Sequence, residues 1–130
     1  RVISAVGDGS PKARAMALAG LAARGTNKVS ADALLGALGD TDTTVRRRAV
    51  EAVASCVSRE NLAVARLVEK LDRLMVHDKN AGVRLSAVRA IAAIGAPADI
   101  PLFEKALTHE LNQDIRREIE AGIKKLRSAR

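Results

Sequence analysis

The segment Asp40–Val57, DTDTTVRRRAVEAVASCV, occurs a second time in altered form at Asp78–Gly95, DKNAGVRLSAVRAIAAIG. The two copies are 38 positions apart and share an acid, a Val-Arg pair and small or apolar residues at helical spacing. Fainter copies begin at Asp8 and at Glu110, each about 32 positions from its neighbour. Self-similarity at a spacing of roughly 30 to 40 residues is typical of stacked supersecondary units rather than of one closed core.

Composition indicates that the stacked units are helical. Apolar residues make up 48% of the 130, but Phe103 is the only aromatic residue and there are only three prolines. Ala, Val, Leu and Ile in this proportion favour closely packed helices. We therefore predict an all-α fold, an α-solenoid of antiparallel helix pairs with about three and a half repeats. A single domain is expected over residues 1–130, with repeats at approximately 1–25, 29–57, 59–95 and 98–127.

Local signals predict where several helices begin and end. The second helix of each pair is expected at 11–24, 44–57 and 81–94, with a last one leading to the basic end of the chain. Gly25 is expected to end the first of these helices in a left-handed conformation. Ser58 and Asp99 are expected to cap the helices that follow them, and Asp72 is expected to face water.

The repeated unit resembles the HEAT repeat, especially its short bacterial and archaeal form, the PBS-lyase type. It consists of a helix, a tight acidic turn and a second helix that opens Val-Arg-x-x-Ala-Val. An acid precedes the arginine by six positions in every copy. The pairs are Asp8 and Arg14, Asp40 and Arg46, Asp78 and Arg84, and Glu110 and Arg116. The resemblance implies a ladder of charge-assisted hydrogen bonds from each arginine toward a neighbouring turn, so we expect a structural role for these residues.

The dipeptide His109-Glu110 is the best candidate for a pair of metal ligands. Deoxyhypusine hydroxylase, an iron enzyme built from similar repeats, carries His-Glu pairs directly after the Val-Arg signature of its second helices. The residues at those positions here are Arg47-Arg48, Leu85-Ser86 and Arg117-Glu118. His77 occupies the equivalent turn one repeat earlier, and neighbouring packed elements lie roughly 8 to 10 Å apart. That separation is too long for two imidazoles to share an ion at about 2 Å each, so we predict no metal site and no cofactor.

No pattern of catalytic residues is present. Cys56 corresponds to Ile94 and Leu126 in the other copies, so it is expected to be a small buried hydrophobic residue rather than a nucleophile. The sequence has no glycine-rich phosphate loop, no nucleophile elbow and no close pair of carboxylates in an apolar context. We therefore predict no catalytic residue and no small-molecule substrate, and a chain that is not an enzyme.

The charge is strongly basic, because 22 Lys and Arg residues against 15 acids leave a net charge of +7. In HEAT-like arrays the second helices line the concave face. The resemblance places on that face Arg47, Arg48, Glu51, Arg89, Arg117, Lys124 and Lys125, with Ala15, Met16, Leu85, Ser86 and Glu118 interrupting the basic stripe. We expect this face to bind an acidic protein or peptide, with the chain acting as an interaction scaffold.

Two alternatives remain open. The same arginines could bind the backbone of duplex nucleic acid. Chemistry of the HEAT-like DNA glycosylases is disfavoured, because the chain has no Trp or Tyr to stack on an extruded base. The chain could instead be a non-catalytic or regulatory segment of a larger enzyme, such as a bilin lyase with HEAT-like repeats.

Three further expectations concern context. A single cysteine and the lack of an apolar run of about 20 residues favour the cytoplasm and no membrane partner. The chain opens at Arg1 inside an apparent helix end, so we expect an excerpt of a longer protein. Met16, Ala19 and Ala23 either are covered by a missing repeat or form an apolar patch that pairs with another chain.

Overall fold

The computed structural model describes residues 9–24, 31–58 and 62–128, with the backbone alone at 21–24. This part of the chain is helical, as predicted, and contains no strand. The helices are α1 Pro11–Arg24, α2 Ala31–Leu38, α3 Thr43–Cys56, α4 Val64–His77, α5 Ala81–Ile94, α6 Ile100–His109 and α7 Gln113–Ser128, with a 3₁₀ turn at Pro97–Asp99. Helix α4 has 14 residues against eight in α2 and ten in α6, which accounts for the longer spacing between the two best copies.

The helices form two layers. Helices α2, α4 and α6 make up one layer, and α1, α3, α5 and α7 make up the other. From α2 onward, each helix makes its main contacts with its pair partner and with the adjacent helices of its own layer, and α1 packs against α3. This open stack is the α-solenoid that the repeat predicts. Within the described ranges, no helix combines the length and the apolar character needed to cross a membrane.

A side-chain cap starts each helix of the layer that contains α1, α3, α5 and α7. The capping oxygen accepts a hydrogen bond from the backbone N–H three residues further on, at 3.0 to 3.2 Å. The caps are Ser10, Asp42, Asn80 and Asn112. A cap of this kind contributes about 1 kcal/mol. The cap stands four positions before the signature arginine, so it fixes where that arginine lies on the helix.

The core lies between the two layers. The signature residues Val45, Val83 and Ile115 are buried, and Ala49 and Ala87 one turn later are fully buried. Each large aliphatic side chain in such a position contributes roughly 1.5 to 3 kcal/mol by leaving water. Periodic burial of the same register positions therefore holds the layers together and gives each helix one fixed outward side.

Several local predictions differ from the structure. Helix α4 begins at Val64, too far along the chain for Ser58 to cap it. Asp99 Oδ2 accepts from the backbone N–H of Ala96 at 2.9 Å and so closes the 3₁₀ turn instead of capping α6. Asp72 is half-buried, and its Oδ1 is buried with no hydrogen bond to any described residue, so the expectation that it faces water is wrong. The predicted cap at Gly25 lies outside the described residues.

Candidate interaction face and arginine ladder

One arginine stands near the start of each second helix, and three of these four arginines bridge two repeats. The ladder arginines are Arg14, Arg46, Arg84 and Arg116, and the ladder acids are Asp8, Asp40, Asp78 and Glu110. In three repeats, Nε and Nη2 of the arginine donate to the two oxygens of one carboxylate in the next repeat. The distances are 2.8 and 3.1 Å for Arg14 and Asp40, 2.7 and 3.2 Å for Arg46 and Asp78, and 3.0 and 3.4 Å for Arg84 and Glu110. Two parallel charge-assisted bonds fix both distance and orientation between neighbouring repeats.

The remaining nitrogen, Nη1, holds the turn that precedes the arginine's own helix. Arg46 Nη1 donates to the carbonyl oxygens of Asp40 at 3.0 Å and Thr41 at 3.1 Å. Arg84 Nη1 donates in the same way to the carbonyl of Asp78 at 2.9 Å. Asp40, Asp78 and Glu110 are thus each bound through the side chain by one arginine and through the backbone by the next. The result is a continuous chain of hydrogen bonds along one edge of the stack.

The acid side chains also order their own turns. Each of the three described ladder acids accepts a hydrogen bond from the backbone N–H two residues further on, which belongs to the capping residue. The bonds are Asp42 to Asp40 at 2.9 Å, Asn80 to Asp78 at 2.9 Å, and Asn112 to Glu110 at 3.1 Å. The acid therefore positions the cap, and the cap positions the helix that carries the arginine.

These bonds shift the ionisation of two acids. The hydrogen bond from Arg14 is the main reason that the pKa of Asp40 lies below its ordinary value, against a smaller opposing effect of burial. For Asp78, burial is the largest influence and raises the pKa. The bonds from Arg46 and from the Asn80 N–H, with the charges of Arg46 and Arg84, together outweigh burial, so the pKa of Asp78 is lowered overall. Both acids are therefore ionised at neutral pH.

The two ends of the ladder differ from its middle. Asp8 lies outside the described residues. Arg116 has no carboxylate partner among the described residues, and its Nη1 donates to the carbonyls of Leu107 and Glu110 at 2.5 and 2.8 Å.

Sequence reasoning missed the capping residues. A signal for them was present, since Ser, Asp or Asn stands four positions before every ladder arginine.

The predicted binding residues lie on the exposed side of the second helices, which we call the outer face. The exposed ones are Arg47, Arg89, Arg117, Lys124 and Lys125, and the half-exposed ones are Arg48 and Glu51. Arg47 extends toward α5, since a Cβ placed on Gly82 would lie 3.8 Å from Arg47 Nη1. Arg89 and Lys125 line one groove between α5 and α7. The remaining residues are distributed along α3 and α7 rather than gathered at one point.

Acidic neighbours partly neutralise the outer face. Three of its arginines form ion pairs, Arg48 with Glu51 at 2.9 Å, Arg89 with Glu118 at 3.3 Å and Arg117 with Asp114 at 3.3 Å. No ion pair involves Arg47, Lys124 or Lys125 within the described ranges. Six cations minus these three acids leave a charge of +3 on the face. Exposed ion pairs contribute at most about 1 kcal/mol, so a partner's carboxylates can replace them at little cost.

An apolar groove of about 520 Å³ lies between α1 and α3 at one end of the outer face. It is lined by Pro11, Lys12, Ala15, Met16, Ala19, Asp42, Thr44 and Arg48. Met16 is 66% exposed there, which agrees both with cover by a further repeat and with an apolar patch that pairs with another chain. The side chain of Ala23, the third member of that patch, lies outside the described residues. Met adapts to irregular surfaces, so this groove offers an apolar contact beside the basic residues.

The histidines and the cysteine are not arranged for metal chemistry. His77 and His109 are the last residues of α4 and α6, and both are exposed. His109 Nδ1 lies within hydrogen-bonding distance of the Thr108 hydroxyl and of the Lys105 carbonyl. Cys56 is buried in the core, as predicted. Across the described residues, no group of three or more His, Cys, Asp or Glu side chains could hold a metal ion.

Comparison with known proteins gives one family and two informative structures. The family model for HEAT repeats matches residues 56–124. The crystal structure of an engineered protein superposes with a TM-score of 0.72 at 19% identity, covering 98% of this chain and 62% of that one. The crystal structure of epoxyqueuosine reductase with an epoxyqueuosine-modified tRNA-Tyr stem loop gives a TM-score of 0.56 at 27% identity. That match covers 85% of this chain and 28% of the reductase.

No curated protein sequence matches the chain.

Proposed function

The chain belongs to the HEAT-repeat family, and from this premise we propose that it is a scaffold whose outer face binds an acidic protein or peptide. HEAT repeats generally serve as protein-interaction scaffolds, because a stack of helix pairs presents a long continuous surface. The outer face of this chain carries an excess of positive charge and a neighbouring apolar groove. We assign no catalytic residue to it.

The proposal rests on one observation, that three cations of the outer face are exposed and form no ion pair with any described residue. Arg47, Lys124 and Lys125 are exposed, and they have no ion-pair partner among the described residues. Exposed cations without internal partners retain their full capacity for an incoming carboxylate. They also accelerate encounter with an acidic surface, an effect that salt weakens. Arg14, Arg46 and Arg84, by contrast, are committed to internal carboxylates and contribute nothing to this face.

Affinity capture with charge-reversed variants tests the proposal. Bound proteins are identified for the unmodified chain and for the double variant Arg47→Glu/Arg117→Glu. The control is Arg73→Glu/Lys79→Glu, which changes the net charge equally at exposed positions away from the outer face. We expect the outer-face variant to lose a partner that the control retains, and binding of that purified partner to weaken as salt rises. Retention of every partner by the outer-face variant would contradict the proposal.

Nucleic-acid binding is a second candidate, because the reductase structure contains a tRNA stem loop and the chain carries a charge of +7. Fluorescence anisotropy with an RNA stem loop and with a DNA duplex tests it. The logarithm of the affinity should fall against the logarithm of the salt concentration with a slope of about 0.9 per phosphate contacted on duplex DNA. Absence of binding to either probe at low salt would eliminate this candidate.

A role within a larger enzyme is a third candidate, supported by the small share of the reductase that the chain matches. In that case the repeats would form a non-catalytic or regulatory segment. Sequencing the DNA on both sides of the segment that encodes residues 1–130 tests this candidate directly. We expect the candidate to hold only if an adjoining domain carries a recognisable catalytic constellation.

A further inference from the structure

The ladder shows the same arginine geometry three times and then leaves it incomplete at Arg116. In α1, α3 and α5, Nε and Nη2 of the arginine both donate to one carboxylate. Arg116 keeps the other half of the arrangement, in which Nη1 donates to the carbonyl of the preceding turn at 2.8 Å. Within the part of the chain that the structure describes, no oxygen accepts from Nε or Nη2 of Arg116.

The edge of the Arg116 guanidinium group that carries Nε and Nη2 has a fixed orientation. Its Nη1 has two acceptors, the carbonyls of Leu107 and Glu110, and the residue is half-buried. In the other three repeats, an arginine anchored through Nη1 in the same way presents Nε and Nη2 to the next turn of the stack. A cation that is already oriented loses little conformational freedom when it binds. Arg116 is therefore a prepared carboxylate receptor on the far side of α7, the side away from α5.

The far side of α7 is chemically unlike the sides on which the repeats stack. The residue four positions after the ladder arginine is Leu18, Val50 and Val88 in the first three repeats, and all three are buried. Val88 lines the groove between α5 and α7, which places this position at the junction of neighbouring repeats. In α7 the same position is Glu120, which is exposed. The far side of α7 does not offer the apolar strip that another repeat of this type would cover.

We propose that the far side of α7 binds a partner protein through a carboxylate presented from a turn, with Arg116 Nε and Nη2 donating to its two oxygens. Leu111, in the turn beside Glu110, is 90% exposed and supplies an apolar contact next to the ion pair. The ligand is a carboxylate because that is the group bound by the same edge in all three complete repeats. Glu120, one helical turn from Arg116, disfavours a phosphate group because a dianion carries a second negative charge. This surface is separate from the outer face.

Side-chain NMR of the unmodified protein tests the proposal. The signal of the Arg116 Nε–H group is followed while an acetylated, amidated peptide copying residues 76–82, VHDKNAG, is added. Asp78 in this segment is the residue that binds Arg46, and the end groups leave its side chain as the peptide's only carboxylate. We expect a saturable shift of the Arg116 signal at millimolar peptide, with the Arg46 and Arg84 signals unmoved. A second peptide with Asn in place of the Asp should bind about tenfold more weakly.

Three results would overturn the proposal: no movement of the Arg116 signal, equal movement with the two peptides, or equal movement with inorganic phosphate at the same concentration. The last result would mean that the site takes any anion. In the Arg116→Lys variant, the Asp peptide should no longer shift the backbone amide signals of Glu110 and Leu111, which it should shift in the unmodified protein. The comparison of the two peptides uses the unmodified protein, so it remains valid even if the Arg116→Lys variant does not fold. No residue of the outer face takes part, so the outcome is independent of the proposal made for that face.

Discussion

The ring of Phe103 occupies the space that a side chain at Gly122 would need. A Cβ added to Gly122 would lie 3.2 Å from both Cδ2 and Cζ of Phe103 and still nearer to Cε2. The residues of α3 and α5 that correspond to Gly122 are Ala52 and Ala90, and the residue of α4 that corresponds to Phe103 is Leu71. The last helix pair therefore carries the chain's only aromatic ring and a glycine where the preceding pair carries Leu71 and Ala90. The glycine is a packing requirement and not a flexible point.

Replacing this glycine should destabilise the protein although it improves helix propensity. In Gly122→Ala the gain in propensity is up to about 1 kcal/mol, whereas overpacking a fully buried ring costs roughly 1 to 3 kcal/mol. We expect a net loss of about 1 kcal/mol in the free energy of unfolding, measured by urea denaturation. Gly36→Ala is the matched control. It is also helical, nothing lies within 4 Å of its added Cβ, and it should gain stability. A stabilised Gly122→Ala would show that Phe103 can move aside.

Removal of a central ladder arginine should be costly. Arg46 and Asp78 expose only 11% and 4% of their side chains, so Arg46→Met leaves an almost fully buried carboxylate without its partner. Breaking a pair of this kind costs about 3 kcal/mol, because the remaining charge cannot regain its hydration. The measurement is the urea midpoint at neutral pH. Met retains much of the packing of the arginine stem, which isolates the loss of the charged group.

The control for this variant is Arg48→Met, two residues along the same helix. Arg48 and Glu51 are each more than a third exposed, so this change should cost less than about 1 kcal/mol. A double-mutant cycle with Asp78→Asn measures the coupling of Arg46 to its acid. If Arg46→Met costs no more than Arg48→Met, the ladder has no structural role.

The repeat predicted much of the fold, and the physical reason is that its signal is local. A cap, a Val-Arg signature and apolar residues at helical spacing each act within one helix. For that reason the bounds of α1 and α5, Pro11–Arg24 and Ala81–Ile94, agree with those expected. The start of α4 was not predictable in this way. Ala63, the residue before α4, makes no side-chain cap, so nothing in the sequence marks the boundary.

The candidate site was less predictable, because its electrostatics depend on contacts between helices. The sequence places Arg89 and Glu118 on the outer face but 29 positions apart, so their ion pair becomes visible only once α5 and α7 are packed. The burial of the Asp72 Oδ1 atom likewise depends on contacts between helices. The helix pattern places Asp72 among charged residues, and its burial depends on how α4 packs in the stack, where the charge of Lys105 on α6 also acts on it.

Acid should weaken the protein partly through Asp78. Its pKa is lowered in the folded state, so the ionised form contributes stability that is fully present above the ordinary value near 3.8. That contribution is lost as the pH falls through the folded pKa. The variant Asp78→Asn lacks it at every pH. We expect the difference in unfolding free energy between the two proteins to be largest at neutral pH and to shrink in acid. A difference that is constant from neutral pH to below pH 3 or so would contradict this role.

Asp72 should show the opposite dependence on pH. Burial raises its pKa, against smaller opposing effects of Lys105, His77 and Arg73, so its charged form destabilises the fold. That penalty is fully present above the folded pKa and disappears below the ordinary value near 3.8. Asp72→Asn should therefore stabilise the protein at neutral pH, by less than about 1 kcal/mol because the residue is only half-buried and solvent screens its charge. The gain should vanish in acid.

The matched control for Asp72 is Glu69→Gln, an acid on the same helix that is exposed to solvent. Its effect on the unfolding free energy should stay within about 0.5 kcal/mol at every pH, because an exposed carboxylate keeps its hydration in the folded state. Urea denaturation of both variants from neutral to acid pH gives the comparison. A gain that is the same for the two variants would assign it to the reduced number of acids in the chain as a whole. A gain confined to Asp72→Asn assigns it to the one carboxylate oxygen that the helix layers leave buried and unpaired among the described residues.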